Sequence, residues 1–267
     1  MEFWDHIEEL RKRFIRIIIV IIVLMIIVFS FKSFLFDTLL FGPLDPNFIT
    51  YKFICQIFPK SGICTNPFYI NLQNLTISGQ FIKHISISFL VSLFLAFPYI
   101  LWELWMFVKP GLYDYEKKSA IKILINALLL FIVGALFSYF IIVPLTINFF
   151  FAYQISPMVI NQFTLDSYFT TFTTLLVLIG LVFESPIILN FLIKFNIIKL
   201  STLKKQRKVI FIVILIIAAY ITPGGDPISL TIMTAPLYLL FELSIKIAAK
   251  SEKKQKQFKY IFISISL

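Results

Sequence analysis

The side chains best placed to do chemistry in this chain are a few carboxylates set against an apolar background. Glu184, in Leu181-Val182-Phe183-Glu184-Ser185-Pro186, falls inside a long apolar run. An ionisable group at that position is costly to keep in a membrane. It marks either a carboxyl that ties two helices together or a polar patch facing a cavity or partner helix. Glu103 and Glu242 also interrupt apolar sequence, but near the ends of their runs, where the cost is smaller and a structural role suffices. Two further acidic loci lie outside the runs. Asp5-His6-Ile7-Glu8-Glu9-Leu10-Arg11-Lys12-Arg13 reads as a short amphipathic helix whose acids precede its bases, an order that helix-dipole and i,i+4 pairing favour. Glu116 lies in Phe107-Val108-Lys109-Pro110-Gly111-Leu112-Tyr113-Asp114-Tyr115-Glu116-Lys117-Lys118. Two separated acidic loci on one face have the chemistry to grip a basic ligand.

Other site chemistry is sparse. The two cysteines, Cys55 and Cys64, fall in one loop and either close a small disulfide loop in an oxidising compartment or stay as thiols. His6 and His84 lie far from them, which argues against a metal site. The sequence contains no Gly-rich phosphate loop, nucleophile elbow or His-Glu-x-x-His helix. The expectation is a protein that is not an enzyme and needs no cofactor.

The elements that carry these residues are membrane helices. The chain is 59% hydrophobic and 14% charged, with a mean hydropathy of +0.92, far from the balance of a water-soluble domain. Roughly 20 apolar residues are needed to span a bilayer. The runs predict spans at 14–35, 81–107, 121–143, 165–195, 209–221 and 228–247, with a polar loop over 36–80. The last two are separated by Thr222-Pro223-Gly224-Gly225-Asp226-Pro227, a turn signal. At about 1.5 Å per residue the run 209–221 falls short of a ~30 Å hydrocarbon core, so that pair must thin the bilayer or leave one face recessed. The charged start runs into the first span with no small-residue cleavage site, so that helix is expected to stay in the mature protein.

Charge sets the orientation. The net charge is +10, but its lysines and arginines are interrupted by spans too long for a nucleic-acid face, so the partner they imply is membrane lipid. With six spans, only Lys32, Lys52, Lys60 and Lys83 of the 24 basic residues fall on one side. The other side is therefore cytoplasmic and holds both termini.

Five segments, in order, resemble the TatC family. His6-x-x-Glu9-Leu10-Arg11-x-Arg13 looks like its amino-terminal signature, and Phe107-Val108-x-Pro110-Gly111-Leu112-Tyr113-x-x-Glu116-Lys117-Lys118 like its first cytoplasmic loop. Phe137-x-Tyr139-Phe140 with Pro144, Phe183-Glu184-x-Pro186, and Ile221-Thr222-Pro223 with Asp226 and Pro236-Leu237 complete the series. The chain departs from the family pattern at Leu230, where many members place glutamine, and at Gly224-Gly225, where a second proline is common. The resemblance implies an all-α polytopic membrane protein of six helices in a concave, glove-like bundle. It implies a core receptor of the twin-arginine translocase that binds twin-arginine signal peptides of folded precursor proteins through Glu9 and Glu116. Glu184 and Thr222 would contact partner helices, with single-span TatA-type and TatB-type proteins as partners in a receptor complex of several copies. Export would draw on the proton-motive force, in a bacterial plasma membrane or an organelle membrane of bacterial origin. A secondary transporter shares the basic-inside bundle and deep carboxylate, but the sequence lacks a repeat that pairs broken helices in two halves. An intramembrane enzyme would need a second deep catalytic group, and one deep carboxylate is visible.

Overall fold

The computed structural model describes residues 3–57, 71–111, 113–154, 156, 158, 161–194, 197–221, 230–231, 233–246 and 248–249. Among them the protein is helical, apart from connecting turns and one isolated parallel bridge between Gln73 and Thr164. The elements are α1 (Phe3–Ser30), α2 (Ile49–Ile57), α3 (Gly79–Val108), α4 (Asp114–Phe137), α5 (Val143–Ala152), α6 (Leu165–Phe183), α7 (Ser185–Lys194), α8 (Leu200–Lys205) and α9 (Arg207–Ile221), followed by helical residues within 230–249. Among the described residues, four stretches are long and apolar enough to cross a membrane: His6–Ser30, Gly79–Gly111, Ala120–Ala152 and Leu165–Ile193. They overlap the first four expected spans. Helix α9 has 15 residues, in line with the short run in the sequence.

Several boundaries differ from the hydropathy reading, each for a local reason. The amphipathic start is the first turns of α1 itself, continuous with the span, because Glu8–Lys12 and Glu9–Arg13 pair at i,i+4 and carry the helix outward. Beyond Ser30 the chain widens into a π-helical turn, Phe34–Leu40, and then tightens into a 3-10 turn, Gly42–Leu44, so the polar loop is partly helical. The third span runs on past residue 143: a π-helical turn, Ser138–Ile142, feeds into α5, with Pro144 in its first turn, where a missing N–H is tolerated. The fourth breaks at Glu184.

The chain divides into two compact units. The first comprises Met1–Leu129 and Leu136–Leu176. Its frame is α1 packed along α3. At the end of this frame opposite the chain's start, proline chemistry dictates the packing. Pro43 has no N–H for the carbonyl four residues before it, and Leu39 O instead accepts the Tyr139 hydroxyl at 2.8 Å. Pro144 leaves Phe140 O free in the same way, and Thr50 Oγ1 donates to it. Leu40 O accepts Tyr168 Oη at 2.5 Å, and Tyr51 Oη reaches both Pro43 O and Pro144 O at 3.0 Å. Burial pushes the pKa of the Tyr51 phenol up, so it stays a neutral donor. The loop before α3 is tied down by Gln73 N to Phe163 O at 2.9 Å and Leu165 N to Gln73 O at 2.8 Å, with Lys83 Nζ 2.5 Å from Asp166 Oδ1 nearby.

The second unit comprises Leu130–Ala135 and Val177–Leu267. Leu200, Phe241, Ile245 and Ala248 form its buried cluster, with Leu189, Ile210 and Tyr238 packed on it. Arg207 Nη2 lies 3.4 Å from Glu242 Oε2, and Tyr238 Oη donates to Glu242 Oε1 at 3.3 Å, the structural role expected of that carboxylate. Gly134 is where α4 meets Phe183: a Cβ there would sit 2.7 Å from Phe183 Cβ and Cγ.

Candidate functional site

At the end of the first unit where the chain begins, α1 and the last turns of α3 hold four charges and two rings. His6 stacks on Phe107 with ring centroids 4.4 Å apart. Two turns further along α1, Arg13 is shared between two carboxylates. Its Nε donates to Glu9 Oε1 at 3.2 Å, Nη2 reaches the same oxygen, and Nη1 donates to Glu103 Oε2 at 3.0 Å. Glu103 is only 5% exposed; it accepts the Tyr99 hydroxyl at 2.7 Å on Oε1, and Arg16 Nη1 lies 3.8 Å from that oxygen. The i,i+4 spacings of Glu9 with Arg13 and of Tyr99 with Glu103 put each pair on one helix face, and α1 against α3 closes the set. Among the described residues, Glu9 Oε2 accepts no hydrogen bond, and its side chain keeps 26% of its surface.

Sequence reasoning located Glu9 here and gave Glu103 a structural role. It missed that the two carboxylates share one arginine, a tertiary contact across 90 residues that no local spacing announces. The signal available was an acid near the start of α1 and another near the end of α3, both at one end of the membrane. Glu116 falls in the first turn of α4, just beyond the Lys109–Gly111 turn that follows α3, and its side chain lies outside the described residues. On the flank of this end, Pro98, Leu101, Trp102, Trp105, Ile121 and Leu128 line a largely apolar groove of about 490 Å³.

The deep carboxylate, Glu184, belongs to the second unit and sits in the one-residue break between α6 and α7. Pro186 cannot donate to the helix, and the turn closes through Glu184 N to Leu181 O at 3.1 Å and Ile187 N to Glu184 O at 3.0 Å. Its Oε1 is buried with no hydrogen-bond partner among the described residues. A buried acceptor left open is uncommon. Thr222, assigned with it to partner contact, lies outside the described residues. So does Cys64; Cys55, on α2, is disulfide-bonded. Among the described residues no group of three or more His, Cys, Asp or Glu is placed to hold a metal ion.

Long apolar helices, with a charge network at one end of the first unit, make the chain a helical membrane protein. The family model for Sec-independent protein translocase protein (TatC) matches residues 5–236. The Sec-independent protein translocase protein TatC of Blattabacterium sp. subsp. Periplaneta americana is 38% identical over 263 residues, 96% of this chain and 97% of the relative. That of Aquifex aeolicus is 31% identical, over 96% and 98%. A crystal structure of the Twin Arginine Translocase Receptor TatC in DDM superposes with a TM-score of 0.68 at 32% identity, covering 91% of this chain and 99% of the other. The chain belongs to the TatC family of Sec-independent protein translocases.

Proposed function

We propose that this chain is the receptor subunit of a twin-arginine translocase, capturing the paired arginines of a signal peptide on Glu9 and Glu116 and exporting the folded protein behind them. The observation that carries the reading is Glu9 itself, a carboxylate with one oxygen held by Arg13 and the other open, at the end of the fold where α3 turns into the helix that bears Glu116. Guanidinium groups meet such oxygens in a planar fork that an ammonium cannot copy. The apolar part of the signal then inserts along the helical wall, for which the groove beside Trp102 and Trp105 offers apolar surface. The likeness to a solved twin-arginine receptor supports the same assignment.

In this reading the chain crosses a bacterial plasma membrane six times, with both termini cytoplasmic and Cys55 paired with Cys64 outside. Glu184, with the polar turn at Thr222, receives a helix of a TatA-type or TatB-type partner in a complex of several copies, and export runs on the proton-motive force. Site-specific photo-crosslinking from position 116 to a membrane-bound precursor tests the proposal by comparing an Arg-Arg signal with a Lys-Lys version in the same vesicles. Crosslinks confined to Arg-Arg are expected. Equal or absent crosslinking refutes the receptor assignment, and a solute-uptake assay on the purified protein then tests the transporter alternative.

A further inference from the structure

Glu9 is the outer member of a chain of contacts whose anchor is Glu103. Side-chain exposure falls from 26% at Glu9 to 13% at Arg13 and 7% at Glu103. Arginine carries five N–H donors in a rigid fork, and with one carboxylate available it pairs fork to fork and covers both oxygens. Arg13 does not do this. Two of its nitrogens converge on Oε1 of Glu9, and Nη1 is drawn to Glu103 Oε2 at 3.0 Å. The second carboxylate is in turn fixed by the Tyr99 hydroxyl at 2.7 Å and by Arg16 at 3.8 Å. The result is a network of two acids and two arginines whose formal charges cancel, with one carboxylate oxygen left over, on the most exposed member.

Resting on the receptor reading of Glu9, we infer that Glu103 and Arg13 are positioning residues that hold Glu9 Oε2 open for an incoming guanidinium, so that Glu103 sets the preference for arginine over lysine without touching the signal. Remove the charge of Glu103 and Arg13 is free to turn its whole fork onto Glu9, closing both oxygens against the ligand. A lysine signal, a point charge with no planar geometry to satisfy, depends less on where that oxygen points. Loss of Glu103 therefore falls on arginine selectivity first. The buried pair also supports folding, since stripping one partner from a buried ion pair is destabilising, so affinity alone would not separate the two roles; the ratio of affinities does.

The test uses the full-length protein in lipid vesicles and two synthetic signal peptides, identical except for Arg-Arg or Lys-Lys ahead of the apolar segment. Binding is read by fluorescence anisotropy for wild type, E9Q, E103Q, R13K and the E9Q/E103Q double variant. E103Q keeps the side-chain shape, and the expected result is a fall of about tenfold in the Arg-Arg to Lys-Lys affinity ratio, one charge-assisted hydrogen bond's worth of discrimination. The double variant is expected to lose no more selectivity than E9Q, because Glu103 works through Glu9. R13K keeps the charge without the fork, is expected to lose selectivity likewise, and decides the matter if E103Q does not fold. An unchanged ratio in E103Q, while E9Q collapses it, overturns the inference and leaves the receptor reading intact. A double variant that loses more selectivity than E9Q also overturns it, since Glu103 would then act independently of Glu9. Retained arginine preference in E9Q overturns both.

Discussion

Replacing Tyr51 with phenylalanine tests whether hydroxyls that donate to buried backbone carbonyls hold the first unit together at the end away from Glu9. Tyr51 is 2% exposed, and its hydroxyl lies 3.0 Å from both Pro43 O and Pro144 O. Phenylalanine keeps the ring and its edge contact with Phe48, so the change is confined to one O–H. That hydroxyl has a single proton, and its loss leaves a buried carbonyl without its donor, at a cost of about 1–3 kcal/mol. For a domain of this size roughly 2–4 °C of melting temperature goes with each kcal/mol, so the purified protein should melt several degrees lower. Tyr153→Phe, at an exposed tyrosine, is the control and should melt like wild type. The pH dependence follows from the sign of the shift. Burial raises the pKa of the Tyr51 phenol above its unfolded value, so the stabilisation is complete below the unfolded value of about 10 and is lost as pH rises from there through the folded value. The gap between wild type and Tyr51→Phe should therefore be equal at about pH 6 and about pH 8 and shrink above about pH 10. If Tyr51→Phe melts with wild type and Tyr153→Phe, the carbonyl-capping argument is wrong.

Two further outcomes are expected in the second unit. Glu184→Leu removes a buried carboxyl whose Oε1 has no partner among the described residues, so stability in thermal unfolding should hold or rise, by up to about 1 kcal/mol, while export of a twin-arginine reporter falls; lower stability with normal export would make Glu184 a structural tie. Gly134→Ala places a methyl 2.7 Å from Phe183 Cβ and Cγ and should destabilise by about 1–3 kcal/mol in thermal unfolding, with Phe183→Leu in the same chain recovering part of the loss.

What could be read from the sequence was what depends on composition and local spacing. Four spans, the pairing of Glu9 with Arg13 at i,i+4, and the lone acid at Glu184 all follow from residue type and period. The break at Glu184 was announced by Pro186 two residues on. What could not be read was which distant groups answer an unpaired one. Pro43 and Pro144 are visible in the sequence as positions without an N–H, but nothing near them says that Tyr139 and Thr50 serve the orphaned carbonyls. Glu103 looked like an acid tolerable near a helix end. Its meaning came from α1 lying against α3, which brought Arg13 to it.

The two ends of the first unit treat unpaired polar atoms in opposite ways. Opposite the chain's start, the carbonyls of Leu39, Leu40, Pro43, Phe140 and Pro144 are each met by a hydroxyl. Buried atoms still unmatched there and along α3 and α4 include His84 Nε2, stacked by Phe29 at 3.9 Å, and the hydroxyls of Ser88 and Ser138, which can turn to a helix carbonyl one turn back. None of these is an ion. Carboxylates are different, because a charge-bearing oxygen without a donor is costlier to leave open than a hydroxyl. Glu103 and Glu242 are each engaged on both oxygens, whereas Glu9 and Glu184 each keep one oxygen without a partner among the described residues. In the proposed function those two oxygens are the ones that receive ligands: a guanidinium from the signal at Glu9, and a polar group of a partner helix at Glu184.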